Sequence, residues 1–246
     1  MTVRIEVFDD LDAVAQAAGK RLVEKIAAVQ AERGVCSIVL TGGSAGIAVL
    51  DHVRRSQSDV DWRHVDIYWG DERFVPEDDG DRNELQARRA LLEHIDVDPD
   101  RVHPMPAAGG EFGDDAEAAA RAYGELLARR GDPAPEFDVH LLGMGPDGHI
   151  ESLFPGHAAL DEQTAAVVAV HDSPKPPPVR ITLTYPALRN VDEVWFLVTG
   201  SDKAAPAAAA IGGDADVHEV PAAGARGRSA TVWFLDTAAA SELPES

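Results

Sequence analysis

The chain has 246 residues and carries 43 Asp and Glu against 22 Lys and Arg, a formal net charge of −21. That length suits one large α/β domain with a substantial core, and the acidic surface excludes nucleic acid and anionic membranes as partners for most of it. Cys36 is the single cysteine, so no intrachain disulfide can form; no apolar run reaches the length of a membrane span or a secretory h-region, and a cytoplasmic location is expected.

The first eight residues, Met1 to Phe8, alternate as a strand should. Asp9 or Asp10 then caps a helix whose apolar positions Leu11, Val14, Ala15, Ala18, Leu22, Ile26 and Val29 recur near the helical period, ending at Gly34. Cys36 to Leu40 reads as a buried strand, Ala45 to Val53 as a helix and His64 to Trp69 as the next strand, which is βαβ alternation. Further on, Asn83 to His94 reads as a helix, Val102 to Met105 as a short strand, Asp114 to Arg130 as an alanine-rich helix and Phe137 to Leu142 as a buried strand. Four later segments are rich in β-branched or aromatic residues: Ala165 to Val170, Arg180 to Thr184, Val194 to Val198 and Thr231 to Leu235. The expectation is a single domain over residues 1–246, a Rossmann-like open twisted sheet, mainly parallel with a mixed edge, and helices on both faces. The proline run Ser173 to Pro178 is extended and delivers Arg180 to a strand start along a stiff path. The tail after Asp236 is expected to be loosely held.

The stretch Gly143 to Gly156 follows the Phe137 to Leu142 strand and sets His149 among glycines that permit close backbone approach to a ligand. In an open α/β sheet, ligands bind in the crevice beyond the carboxyl ends of the strands, and this position sets His149 apart from the other histidines as a titratable catalytic group. Thr41-Gly42-Gly43-Ser44-Ala45-Gly46 joins a strand to a helix, and three readings stay open there. It is a tight packing turn, or an anion site of backbone N–H groups with the Ser44 hydroxyl, or a G-x-S-x-G nucleophile elbow. Arg180 and Lys203 are isolated cations that together suit a phosphate dianion, against the commoner fate of a surface ion pair worth about 0–1 kcal/mol. Asp71 and Arg73 follow another strand, where Asp71 can orient a reacting group and Arg73 can steady negative charge on an oxygen; their alternative is a capping carboxylate with an adjacent ion pair. The scattered histidines and absent thiolates give no metal-ligand spacing.

These motifs, in this order, resemble the 6-phosphogluconolactonases, of the same superfamily as the glucosamine-6-phosphate isomerases/deaminases. The resemblance rests on Leu40 to Ser44, Trp69 to Pro76, Asn83, Leu142 to His149 with Ser152 to Gly156, and Pro176 to Thr184, and it covers nearly the whole chain. It implies a Rossmann-like α/β fold, no metal or cofactor, and hydrolysis of 6-phospho-D-glucono-1,5-lactone to 6-phosphogluconate in the oxidative pentose phosphate pathway. It also implies His149 as the catalytic histidine, with Gly43, Ser44, Arg180 and Lys203 at phosphate-site positions. Gly42, Asn83 and Gly145 join them as substrate-contacting positions, and Asp71 and Arg73 complete the expected catalytic set. Ala45-Gly46 stands where many relatives have Thr-Pro, and Ile150-Glu151 where many have Thr-Ala, so contacts made by those side chains do not carry over. Ser152-Leu153-Phe154-Pro155 replaces the Phe-Asn-Glu-Pro-like segment of the deaminase branch, which favours the lactonase over the amino-sugar enzyme. The expected partner is a small sugar phosphate, with the protein a monomer or a homodimer. A deaminase-like isomerase and a non-catalytic sugar-phosphate sensor remain as alternatives.

Overall fold

The structure is a computed structural model that describes residues 2–56 and 60–244; Met1 of the expected first strand and the last two residues of the tail lie outside the described residues. In chain order the elements are β1 (Thr2–Phe8), α1 (Leu11–Arg33), β2 (Cys36–Leu40), α2 (Gly43–Ser56), β3 (Val65–Trp69), β4 (Asp71–Arg73), α3 (Asn83–Ala90) and α4 (Ala116–Ala128). They continue with β5 (Phe137–Gly143), β6 (Val167–Val170), β7 (Arg180–Leu183), α5 (Tyr185–Leu188), β8 (Val191–Val198), α6 (Ala204–Gly212) and β9 (Ala230–Asp236). Six strands form one sheet in the order β1-β9-β8-β5-β2-β3, with every pairing parallel. Strands β2, β5, β8 and β9 are buried on both faces, which is why they read as nearly continuous apolar runs.

Helices cover both faces and divide the core in two. On one side Val14, Leu22 and Ile26 of α1 and Val49 of α2 pack with Trp69, Trp195 and Phe234. On the other, Tyr123 of α4 packs with Tyr68, Phe137, Leu142, Phe196 and Trp233. Helix α1 is bounded as its residues dictate: Asp10 accepts a hydrogen bond from the Ala13 amide at 2.9 Å, and Gly34 closes the helix in the left-handed region at φ 83°.

The antiparallel pairing expected at one edge of the sheet instead builds a separate three-stranded sheet, β4-β7-β6. Gly70 is the joint: its N–H bonds Leu40 of the main sheet and its carbonyl accepts from Leu183 of the small one. The strand expected at Val102 to Met105 is only a bridge between Val102 and Ile67, because the Tyr123 hydroxyl stands where the ladder would continue, accepting from the Trp69 amide at 3.5 Å and donating to the His103 carbonyl at 2.9 Å. The helix expected to run from Asn83 to His94 ends at Ala90, followed by a single tighter turn, and α2 begins at Gly43 rather than Ala45. From Thr237 to Leu243 the chain is held rather than loose: the Thr237 amide bonds the Phe8 carbonyl at 2.8 Å, Ala239 is fully buried and Leu243 packs on the core.

Candidate active site

Beyond the carboxyl ends of β2, β3 and β5 lies a cleft of about 450 Å³, in the position that open α/β sheets reserve for ligands. His149, Asp71, Arg73, Asn83, Gly42, Gly43, Gly145, Arg180 and Lys203 all line it. Ser44 does not. It stands exposed in the first turn of α2 and faces an adjoining groove with Ile47, Asp51, Gln86 and Arg89. No histidine is among the described residues lining that groove, so the nucleophile-elbow reading has no base to activate the hydroxyl.

The turn after β5 makes the histidine. Gly145 donates its N–H to the His149 carbonyl at 2.9 Å and accepts from Gly148 at 3.0 Å, folding the loop back on itself. A Cβ on Gly145 would sit 2.0 Å from His149 Cε1, so only glycine lets the imidazole lie against that backbone. The ring packs on Phe154 with centroids 4.7 Å apart, and its Nδ1 meets Oδ1 of Asp147 in a short hydrogen bond. The Lys175 ammonium lies 3.4 Å from the same nitrogen. Burial lowers the His149 pKa and outweighs the upward pull of Asp147, with Lys175 adding to the depression. The imidazole is therefore neutral near pH 7, and an Asp147 carboxylate on Nδ1 places the ring proton there, leaving the Nε2 lone pair as the basic site. Asp147 itself is held below its ordinary range, since the bond to His149 and the charge of Lys175 outweigh its partial burial.

Asp71, expected to orient the histidine, water or a sugar hydroxyl, makes no hydrogen bond to His149; Asp147 makes that bond. Asp71 accepts from Ser152 Oγ at 2.7 Å and from Asn83 Nδ2 at 3.1 Å, and lies 3.9 Å from the Arg180 guanidinium. Arg73 is fixed by the Asp81 carbonyl at 2.6 Å and by Asn83 Oδ1 at 2.8 Å. Asn83 is thus the clamp between the two, and Gly42 lets the β2–α2 loop close over it: a Cβ there would fall 1.9 Å from Asn83 Oδ1.

Under this layer sits Glu72, which the sequence reading passed over. Its carboxyl accepts from the amides of Arg73, Asn83 and Glu84 at 2.8, 2.7 and 2.9 Å, tying β4 to the start of α3. Burial pushes its pKa up to about 7 against the opposing pull of Arg82 and those amides.

Arg180 opens β7 as expected, yet much of its guanidinium is committed to the chain's own backbone. Nε donates to the Pro177 carbonyl at 2.8 Å, and Nη2 to the carbonyls of Lys175 and Pro176 at 3.1 Å each. It therefore pins the proline segment that brings Lys175 to His149 while presenting charge to the cleft. Lys203 reaches the same cleft from the turn after β8.

Glu151 lines the cleft and meets His140 beneath it, a pair the sequence did not single out. The side chains of His140 and Glu151 are both buried, and their Nε2 and Oε1 atoms approach to 2.8 Å without hydrogen-bond alignment. Burial lowers the His140 pKa to about 3 and, with Asp71 nearby, raises that of Glu151 well above the carboxylate range. Both are thus neutral at pH 7. Glu151 adopts φ 52°, a conformation rare outside glycine, which turns its side chain inward.

A parallel sheet with a polar cleft at its strand ends, cations from two turns and two short strands and a carboxylate-backed neutral histidine define a Rossmann-like α/β protein equipped to bind an anion and move a proton. Residues 9–233 match the family of glucosamine-6-phosphate isomerases/6-phosphogluconolactonases, and the chain belongs to it. The chain is 58% identical to a 6-phosphogluconolactonase of Mycobacterium tuberculosis, over 99% of this chain and 100% of that protein. It is 49% identical to a 6-phosphogluconolactonase of Streptomyces coelicolor, over 100% and 96%. A solved structure of 6-phosphogluconolactonase from Trypanosoma brucei superposes with a TM-score of 0.86 at 29% identity, covering 99% of both chains.

Proposed function

We propose that the cleft hydrolyses 6-phospho-D-glucono-1,5-lactone to 6-phosphogluconate, with His149 as the general base. One observation carries the residue roles: a neutral imidazole with Asp147 on Nδ1 faces the same cleft as Lys175, Arg180 and Lys203. The near-complete likeness to named lactonases supports the substrate. Lys203, Arg180 and the Gly43 amide at the start of α2 hold the 6-phosphate, so that binding energy from the remote phosphate places the lactone carbonyl beside His149. Water attacks C1 while Nε2 removes its proton, and the imidazolium, stabilised by Asp147, returns that proton to the departing ring oxygen. Arg73, rigidly held by Asp81 and Asn83, offsets the charge on the carbonyl oxygen. A δ-lactone is an activated ester, so one base and good positioning suffice without a covalent intermediate.

The test generates the lactone in situ and follows 6-phosphogluconate through its NADP-dependent dehydrogenase, with spontaneous hydrolysis subtracted. The expected outcome is rapid release that falls about 10²–10⁴-fold in His149→Gln. Release no faster than background overturns the reading; binding of 6-phosphogluconate without turnover then indicates a sensor, and conversion of glucosamine-6-phosphate a deaminase-like isomerase.

A further inference from the structure

Among the described residues, the large hydrophobic side chains left exposed are Val3, Ile5 and Val7, at 49%, 44% and 49%. All three belong to β1, and all three stand on one face of it, since side chains alternate along a strand. That face continues the side of the sheet bearing Trp233, because Val3 lines a cavity with Trp233 and with Ile211 of α6. Glu6 points to the opposite side, where it meets Arg21 of α1 at 2.8 Å.

Strand β1 is also the outer edge of the main sheet, paired with β9 in register from Thr2 to Phe8. The opposite edge is covered: Val102 bridges Ile67 of β3, and the His103 amide donates to the Ile67 carbonyl at 2.9 Å. Edge strands are ordinarily blunted by shortness, proline, a bulge or repelling charge. β1 has seven residues, no proline and an uninterrupted ladder.

The direction of its free backbone groups follows from the bonds already made. The Thr2 amide donates to Ser229 and the Phe8 carbonyl accepts from Thr237, so by alternation Thr2, Arg4, Glu6 and Phe8 turn their backbone groups toward β9. Val3, Ile5 and Val7 turn theirs outward.

We infer that two copies of this chain pair edge to edge through antiparallel β1 strands, about a two-fold axis at Ile5. In that register the outward N–H and C=O groups of Ile5 bond Ile5 of the second copy, and those of Val3 bond Val7 of the second copy. Arg4 then falls opposite Glu6 of the second copy at the non-hydrogen-bonded positions, where Cα atoms approach to about 4.5 Å and side chains are closest. Two-fold symmetry repeats each of these contacts. Centring the axis on Arg4 or Glu6 would set like charges face to face, so the sequence Arg4-Ile5-Glu6 selects the Ile5 register. The apolar strips of the two copies join on the Trp233 side, and Arg21 and Arg4 of the second copy share Glu6 on the other. Strands β9 and β8 stand between β1 and β5, so both clefts stay open and turnover is independent of pairing.

Sedimentation velocity over a concentration series tests this on the full chain, with hydrogen exchange at β1 as a second readout. The expected result is a dimer dissociating in about the micromolar range, as suits a small interface, with slowed exchange at the Ile5 amide. Ile5→Lys is expected to be monomeric with unchanged kcat. Arg4→Glu is expected to weaken the dimer about tenfold by opposing like charges, and Arg4→Glu combined with Glu6→Arg and Arg21→Glu, which reverses the Glu6–Arg21 pair as well, to restore it. Arg4 is an exposed side chain, so its variant keeps the test open even if Ile5→Lys folds poorly. A wild type that is monomeric at the highest soluble concentration overturns the inference. So does a dimer indifferent to Ile5→Lys and Arg4→Glu, or a charge swap that fails to restore pairing.

Discussion

Replacing Asp147 by Asn removes a charge from His149 while keeping the side chain's size, and the structure states what should follow. A hydrogen bond to a charged partner is worth about 1.5–3 kcal/mol. Asp147 is 36% exposed, so solvent screens part of its field and the lower end, about 1.5–2 kcal/mol, applies. If that stabilisation of the imidazolium is felt in the transition state, kcat falls about 10–30-fold. The pH profile moves as well. Burial holds the His149 pKa down and Asp147 opposes it; without the carboxylate, burial and Lys175 act unopposed by their main counterweight. The acid limb of kcat/KM, which reports the base in the free enzyme, should shift to lower pH while the plateau drops. The assay is the coupled dehydrogenase measurement across the acid range, with each variant's fold checked by circular dichroism. A purely structural role for Asp147 would lower stability and leave the limb in place. A plateau within about twofold of wild type with an unmoved limb, or a limb displaced upward, refutes the assignment.

Gly145→Ala must displace the imidazole, because its Cβ would lie 2.0 Å from Cε1; a loss of about 100-fold in kcat is expected for a shift of that order, and a normal kcat would mean that the ring does not depend on this contact. Arg180→Ala should raise KM for the phosphorylated lactone and abolish preference over the unphosphorylated one, since it removes a cleft cation and releases the backbone of Lys175 to Pro177; preference retained in a titration of both substrates counts against a phosphate site here. His140 has its pKa lowered to about 3 by burial, below the ordinary value of about 6.5, so the folded state favours the neutral ring. Its contribution is present above about pH 6.5 and lost as pH falls toward 3, and urea unfolding should find that His140→Gln loses less stability than wild type between about pH 7 and 4. Equal losses would mean that acid sensitivity arises elsewhere.

Much of the frame follows from local rules. Helix α1 could be read from Asp10 to Gly34 because its cap, its apolar stripe and its terminating glycine are all local signals. The buried strands β2, β3 and β5 were legible for a similar reason, each being a short apolar run with turn residues at its end. The glycines around His149 also stood out, since positive φ and close approach leave few other residues possible. Glu72 was missed because an acid beside Asp71 and Arg73 resembles surface charge until burial and three amide donors enclose it. Asp147 was passed over although it sits two residues from His149, because spacing alone does not reveal that a turn folds the carboxylate onto Nδ1.

By itself, then, the sequence determined the alternation of strands and helices, the glycine-bound loops and the histidine, because these rest on the preferences of neighbouring residues. Tertiary structure decided which strands met. It split the antiparallel strands into their own sheet, enclosed Glu72 beneath the site, set Ser152 against Asp71 and placed β1 bare at the sheet edge. Those outcomes depend on pairings between residues far apart in the chain, whose free energy comes from burial and hydrogen bonding across the fold, and no local preference encodes them.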